Sequence, residues 1–310
     1  MKITTNGRGR SVGSSHAKKK KTDGWWPLLF IGPLMLGVVV FYHYPIVKNF
    51  YISFTQSGAF GNNVEWVGLQ NFKNLFANSD FSSALMNNLI YVAAILLGIP
   101  LALVVSALLA TPGLKGARIY RGMFFLPYIA MPVAVALVWK LLLNGDFGLV
   151  NQALSKFGVE NPPYWLTTPG FALAAVCLFG VWASIGFNVI ILSAGISGIP
   201  HELYEAASLD GAGKRQQFFS ITVPLLAPSI FLLTVVQTIS GFQLFDALFA
   251  LMGTNNPALP HTKSLVYLFY SEAFTNNDKG MGAAVAVIIL LIIGGVTAFQ
   301  FHIRKKWIDQ

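Results

Sequence analysis

Apolar side chains run through this chain in six long blocks, and polar ones gather in the intervals between them. Residues 25–47, 81–114, 122–139, 161–201, 216–245 and 280–303 contain no Asp, Glu, Lys or Arg. A helix crosses the hydrocarbon core of a bilayer with about 20 predominantly apolar residues. The blocks therefore predict six transmembrane helices, over about 25–44, 89–110, 123–143, 171–193, 225–251 and 281–301. Pro45 is expected to close the first. Gly98 and Pro100 in the second free backbone groups that only neighbouring protein can satisfy, so that helix should be surrounded by others. Pro127 and Pro132 fall in the third. The sixth opens on Gly282, Ala283, Ala284 and Ala286, small side chains that let helices approach closely. Between the first two helices the mixed stretch 46–87 should lie outside, with an amphipathic helix near 69–77. The outer loop 144–168 should be ordered without forming a domain.

Composition agrees: 55% of the 310 residues are hydrophobic and 11% charged, against roughly a quarter charged in soluble domains. The net charge of +9 would suit a nucleic-acid binder, but its distribution argues otherwise. With the N-terminus inside, 15 of the 21 basic residues fall on the cytoplasmic side, among them Lys18 to Lys21, Lys115, Arg118, Arg121, Lys214, Arg215 and Arg304 to Lys306. Basic residues collect at the cytoplasmic ends of membrane spans, so the excess reads as topology, with both termini in the cytoplasm and no nucleic-acid partner. Residues 1–24, rich in Gly, Ser, Thr and Lys, are expected to be a disordered cytoplasmic tail. Residues 304–310 should form a second cytoplasmic tail. The block after Lys21 contains Pro27 and Pro33 and lacks an Ala-x-Ala cleavage site, so it reads as a retained first helix rather than a signal peptide. Cys177 is a lone cysteine in an apolar run, which leaves no disulfide or cysteine-based metal site.

The interval 200–224, PHELYEAASLDGAGKRQQFFSITVP, is a polar, charged island between two long apolar blocks. Pro200 suits a first helical position, and Glu202 and Glu205 follow where the helix dipole favours anions. A helix should run to Leu209 and end at Asp210-Gly211, because glycine accepts the left-handed backbone of a helix C-terminus. A second short helix can start at Gly213 and run to Ser220, before Pro224. By this pattern alone the stretch is a helix, a turn and a helix on the inner face, which any polytopic protein could carry as a loop.

Glu205-Ala206-Ala207, three residues, Gly211, nine residues, Ile221, one residue and Val223-Pro224 resemble the EAA loop of permease subunits of binding-protein-dependent ABC importers. Val223 stands where Leu is usual. The resemblance covers nearly all the chain after the tail. Trp66-Val67-Gly68-Leu69-Gln70-Asn71-Phe72, Phe125-Leu126-Pro127, Ala136-Leu137-Val138-Trp139-Lys140 and Gly241-Phe242-Gln243-Leu244-Phe245-Asp246 look like the carbohydrate-uptake branch, with its maltose-type and glycerol-phosphate-type permeases. One departure is clear: Gly253-Thr254-Asn255-Asn256-Pro257 replaces the usual Thr-x-Gly-Gly-Pro, which implies an outer pathway shaped for another ligand.

The resemblance implies an all-α membrane protein of six transmembrane helices with the ABC type I importer permease fold, in a prokaryotic cytoplasmic membrane. Residues 25–303 would be the permease domain. It implies a second permease subunit, two ATPase subunits, an extracytoplasmic solute-binding protein and a sugar substrate as partners, beside membrane lipid. It also implies a coupling helix docked on the ATPase, with Glu205 as polar anchor, Gly211 as turn, and Leu203, Ala206, Phe218 and Phe219 as packing face. Ala207, Asp210, Ile221 and Pro224 complete the loop. No cofactor is expected in this chain: a phosphate loop reads Gly, four residues, Gly-Lys-Ser/Thr, and Gly213-Lys214 has Ser208 and Arg215 at the other positions. ATP and Mg belong to the partner ATPase, and the chain is not expected to be an enzyme.

Sugars are bound by aromatic faces and hydrogen-bonding side chains, and polar groups within a membrane usually face a bundle interior or a cavity. Trp182, Phe187 and Asn188, with Gln237, Thr238, Ser240, Phe242 and Gln243, supply that chemistry; each alone is better explained by helix packing, and only the group points to a sugar site. Asp246 is either a proton-coupling carboxylate or part of a wall or gate near the outer end of its helix. The five histidines have no ligand spacing, so no metal is implied. An ion-coupled secondary sugar transporter would want ionisable residues at mid-membrane, and a membrane enzyme would want clustered His, Asp or Glu at one face. The cargo stays open among sugars, glycerol phosphate, amino acids and peptides.

Overall fold

A computed structural model describes residues 26–56, 64–111 and 113–308; the expected tail over residues 1–24 lies outside the described residues. The chain divides at Lys48 into two compact units. In the first, α1 (Trp26–Val38) passes through a π-turn (Val39–His43) into α2 (Tyr44–Ser53), so Pro45 does not end the helix. A proline lacks an N–H and its ring clashes with the carbonyl four residues back. The π-turn widens the helix by one residue there, and the Tyr44 N–H bonds to the Val39 carbonyl.

The same device recurs in the second unit. α10 (His201–Leu209) is followed by α11 (Lys214–Gln217), a π-turn (Phe218–Thr222) and α12 (Val223–Leu225). In both places a five-residue π-turn, one residue and a proline follow in that order, and Pro224, like Pro45, lies inside a continuing helix. The turn comes later, at Leu226, where 214–225 and α13 (Ala227–Phe242) meet at 64°.

The second unit begins within α2, at Asn49, and continues into a short antiparallel hairpin, β1 (Thr55–Gln56) with β2 (Glu65–Trp66), in which Thr55 faces Trp66. Then come α3 (Gln70–Ala77), close to the amphipathic helix expected, and α4 (Ser79–Leu96), which joins α5 (Gly98–Leu109) into one long span. α4 starts well before residue 89. Asn78 caps it by accepting the Asp80 N–H at 2.9 Å, and Asn87 and Asn88 turn inward while Ser82 and Ser83 stay exposed. Asn88 donates to the Gly241 carbonyl at 2.9 Å and accepts the Leu265 N–H, and Asn87 donates to the Lys263 carbonyl at 3.0 Å. Gly98 is buried beside Ser184, whereas Pro100 is exposed.

The third expected span is two helices, α6 (Ala117–Ile129) and α7 (Pro132–Leu142), bent by 97°. Proline pushes the residue before it out of the helical region; Ala130 and Met131 are extended, and Pro132 starts α7. Pro127 is accommodated within α6. The loop after α7 contains α8 (Leu149–Lys156) and is closed by Asn151, which donates to the Gly145 and Pro163 carbonyls at 2.9 and 3.1 Å and accepts the Trp165 Nε1–H at 2.8 Å. Beside it the Tyr164 hydroxyl donates to Asp146, which raises the Tyr164 pKa.

α9 (Phe171–Ser197) packs against α4, α5, α6 and α13. Its Gly186 lies so near α6 that an added Cβ would stand 2.2 Å from the Phe124 carbonyl oxygen; small residues at helix crossings permit such approach. The fifth span ends at Phe242, and α14 (Asp246–Met252) is a separate short helix packed on α7. α15 (Leu265–Tyr270) and a third π-turn precede α16 (Lys279–Ile308), which continues through the backbone of residues 304–308. Ala283 and Ala284 at its start are buried, and Gly282 meets Ala273. Among the described residues four helices are long and apolar enough to cross a membrane, and two bent pairs make six when each counts as one span.

Candidate functional site

The loop helix α10 forms from the residues that predicted it. Pro200 is its N-cap, Glu202 lies in its first turn, and Leu209 is its last residue. Its end is a complete Schellman motif: the Ala212 N–H bonds to the Ala207 carbonyl at 2.8 Å and the Gly211 N–H to the Ser208 carbonyl at 3.1 Å. Gly211 has φ +82°, and nothing lies within 4 Å of where its Cβ would be. The glycine is there for the backbone, not for space.

Two bonds tie α10 to the segment that follows. The Tyr204 hydroxyl pairs with Thr222 Oγ1 at 2.9 Å, and Gln217 Nε2 donates to Ser208 Oγ at 2.8 Å and to the Ala212 carbonyl at 3.0 Å. Glu205 is exposed and paired with His201 one turn earlier, at 3.1 Å. Ala206 and Asp210 are exposed and Ala207 is half-buried. Phe218 packs in the apolar core with Ile99, Leu192 and Leu226, Ile221 is half-buried, and Pro224 is exposed. Large apolar side chains nevertheless point away from the protein: Leu203 is 43% exposed, Phe219 60% and Leu209 89%. Leu209 stands out only once the turn after it is seen.

The second set of residues separates into two groups. Asn188, Gln237, Thr238 and Phe242 are interior. Asn188 is 0% exposed and accepts from Gln237 Nε2 at 2.7 Å, while its own Nδ2 is buried without a partner. Thr238 donates to the Thr234 carbonyl at 2.7 Å and accepts from Gln300 Nε2 at 2.9 Å. Phe242 lies in the core with Leu75, Phe81 and Leu265. Trp182, Ser240, Gln243 and Asp246 are exposed, and Phe187 is half-exposed. Gln243 caps α13 and Asp246 begins α14, so neither belongs to one continuous fifth helix.

The structure adds aromatic partners from the bent third span. Tyr128 stacks on Phe187 with centroids 5.0 Å apart, Phe125 on Tyr128 at 5.7 Å, and Trp139 meets Trp182 at 5.4 Å. Aromatic faces from α6 and α7 thus join those of α9. Sequence spacing does not pair Tyr128 with Phe187; the 97° bend and the α6–α9 contact do. Among the described residues no group of three or more His, Cys, Asp or Glu stands where it could hold a metal ion.

A family model described as "Binding-protein-dependent transport system inner membrane component" matches residues 98–309. The chain is 32% identical to the probable ABC transporter permease protein YesP of Bacillus subtilis, over 99% of this chain and 98% of that one. It is 33% identical to the sn-glycerol-3-phosphate transport system permease protein UgpA of Agrobacterium fabrum, over 90% and 94%. The multiple sugar-binding transport system permease protein MsmF of Streptococcus mutans is 32% identical over 93% and 98%. Among solved structures, a bacterial ABC transporter involved in the import of the acidic polysaccharide alginate aligns with a TM-score of 0.80 at 22% identity, over 91% of this chain and 96% of that one, a likeness of fold. With the helical architecture and the 200–224 loop in place, these matches make the chain a member of the binding-protein-dependent transport family, as an inner membrane permease component of the ABC type.

Proposed function

We propose that this chain forms half of the membrane pathway of an ATP-driven sugar importer, beside a second, similar permease. Two separate ATPase subunits, loaded with ATP and Mg, would meet α10, and an extracytoplasmic binding protein would deliver the sugar to the outer loops. The observation that carries this reading is the tip of 200–224. Leu203, Leu209 and Phe219 are exposed on a loop whose basic neighbours favour a cytoplasmic position, and water is a poor neighbour for three large apolar side chains. A protein partner that covers them gains their burial.

Movement imposed on α10 has a short route inward. The Tyr204–Thr222 and Gln217–Ser208 bonds carry it to α11 and the π-turn before α13, and the Gln237–Asn188 bond joins α13 to α9. α9 holds Trp182 and Phe187, against which Trp139 and Tyr128 are stacked. A sugar binds such faces through its C–H surfaces and the flanking polar groups through its hydroxyls; Ser240, Gln243 and Asp246 are exposed to supply them. Asp246 then acts in the pathway wall or gate. In the working cycle ATP closes the ATPases, the loops turn the pathway outward, the binding protein releases its sugar, and hydrolysis resets the helices.

Uptake in cells separates this from ion-coupled transport. Depletion of ATP should abolish sugar uptake, while an uncoupler that collapses the proton gradient at constant ATP should leave it. The opposite pattern would overturn the proposal. The cargo is identified by which sugars the partner binding protein retains.

A further inference from the structure

A cavity of about 1,100 Å³ lies between the ends of α5 and α9, the early turns of α6, and the loop helices α10 and α11. Three basic side chains line it from three elements: Arg121 of α6, Lys214 of α11 and His201 of α10. The one carboxylate in its wall is Glu205, and that carboxylate is already held by His201 at 3.1 Å. Tyr204 and Ser208 also face the cavity, but their hydroxyls are engaged with Thr222 and with Gln217 and the Tyr204 carbonyl. Arg121 and Lys214 are the charged side chains left to meet a ligand.

Arg121 makes the case sharper. Its Nε is buried and has no hydrogen-bond partner in the protein. Buried polar groups in folded proteins are paired almost without exception, and a guanidinium N–H is among the costliest to leave alone. Pairing it needs the cavity wall to open to an acceptor from outside the chain. The planar guanidinium fork suits the paired oxygens of a phosphate better than a neutral acceptor. The volume is of the size of ligand sites, and basic pockets between helices at the cytoplasmic face of membrane proteins bind phosphate headgroups. The apolar part of the wall, with Ala107, Ile196 and Ile199, would hold the carbon skeleton attached to such a group.

We infer that this cavity binds a phosphate-bearing ligand, with the phosphate oxygens held by Arg121 and Lys214. The chemistry is common to two sources, the headgroup of an anionic phospholipid and a soluble sugar phosphate. Because Tyr204 and Glu205 form part of the same wall, an occupant rests against α10 and biases its position. The site is thus a means by which lipid or metabolite regulates the loop, distinct from the cargo pathway.

Binding is measured without ATP or cargo, so its failure is separable from a failure of the transport reading. The full chain is purified with the subunits that accompany it. Native mass spectrometry compares retention of phosphatidylglycerol with phosphatidylcholine, and calorimetry titrates glucose 6-phosphate against glucose. Preferential retention of phosphatidylglycerol assigns the site to lipid; heat with glucose 6-phosphate alone assigns it to a soluble ester. Whichever probe binds, Arg121→Gln should weaken it by about tenfold or more, and Arg118→Gln, on an exposed residue outside the cavity, should leave it unchanged. Lys214→Gln, at an exposed position, supplies a second variant should Arg121→Gln fail to assemble, and is expected to weaken binding several-fold. No preference for either phosphate probe, or equal losses in the Arg118 and cavity variants, would overturn the inference.

Discussion

Gly211 and Asn151 each hold a connection between spans, the first through its backbone and the second through its side chain, yet only the first announces itself. Asp210-Gly211 after an apolar-polar helical run is a C-terminal signal in any sequence, and φ +82° is what it signals. Asn151 reads as an ordinary polar residue in 144–168, because its partners Gly145, Pro163 and Trp165 come to it only when the loop closes. Asn151→Ala should cost about 2–3 kcal/mol locally, since Trp165 Nε1 and two carbonyls lose their partner. Hydrogen exchange over 144–168 should rise while the spans stay protected; unchanged exchange would mean the loop is held otherwise. The pathway candidates divide for a similar reason. Residue type marked Asn188, Gln237 and Trp182 as unusual within apolar helices, but which of them faces inward depends on helix rotation, which small residues and neighbouring spans decide.

Helix existence was legible from hydrophobic blocks, whereas helix ends and bends followed from features that hydropathy does not weigh. In sequence, proline reads as punctuation at Pro45 and Pro224, and in both places a π-turn carries the helix past it. At Pro132 the same residue does break the span, because Ala130 and Met131 are extended and no widened turn precedes it. α4 began early because Asn87 and Asn88 spend their polarity on the backbone of other segments. Contacts between elements give two tests. Gly186→Leu would drive a side chain into the Phe124 carbonyl, and should lower stability by about 1–3 kcal/mol or more, seen as a fall in melting temperature of the detergent-solubilised protein. Gln237→Leu should destabilise by about 0.6–2 kcal/mol, and the double variant with Asn188→Leu should recover much of that loss, because no buried amide then lacks a partner. Strict additivity in the double-mutant cycle would show that the Asn188–Gln237 bond does not join α9 to α13 energetically.

The whole molecule turns on which side of the membrane the 200–224 loop occupies. The distribution of basic residues argues for the inside, and labelling from either face tests it. In a Cys177→Ser background, a cysteine in place of Leu209 should react with a membrane-impermeant maleimide only in inverted vesicles. One in place of Phe157, which is 88% exposed, should react only in intact cells after removal of the outer barrier. Reversed labelling would invert the topology and remove α10 from the ATPase side.

Coupling through α10 is tested most directly in proteoliposomes that contain the assembled transporter, with sugar-loaded binding protein on the outer side. Glu205→Lys places a cation where the loop offers a carboxylate, and Gly211→Asp forces a side chain into left-handed backbone at a cost of about 1–2 kcal/mol. Both variants should assemble with normal yield and should lose sugar-stimulated ATP hydrolysis and uptake together, by about tenfold or more. Wild-type rates of both in either variant would contradict a coupling role for this loop.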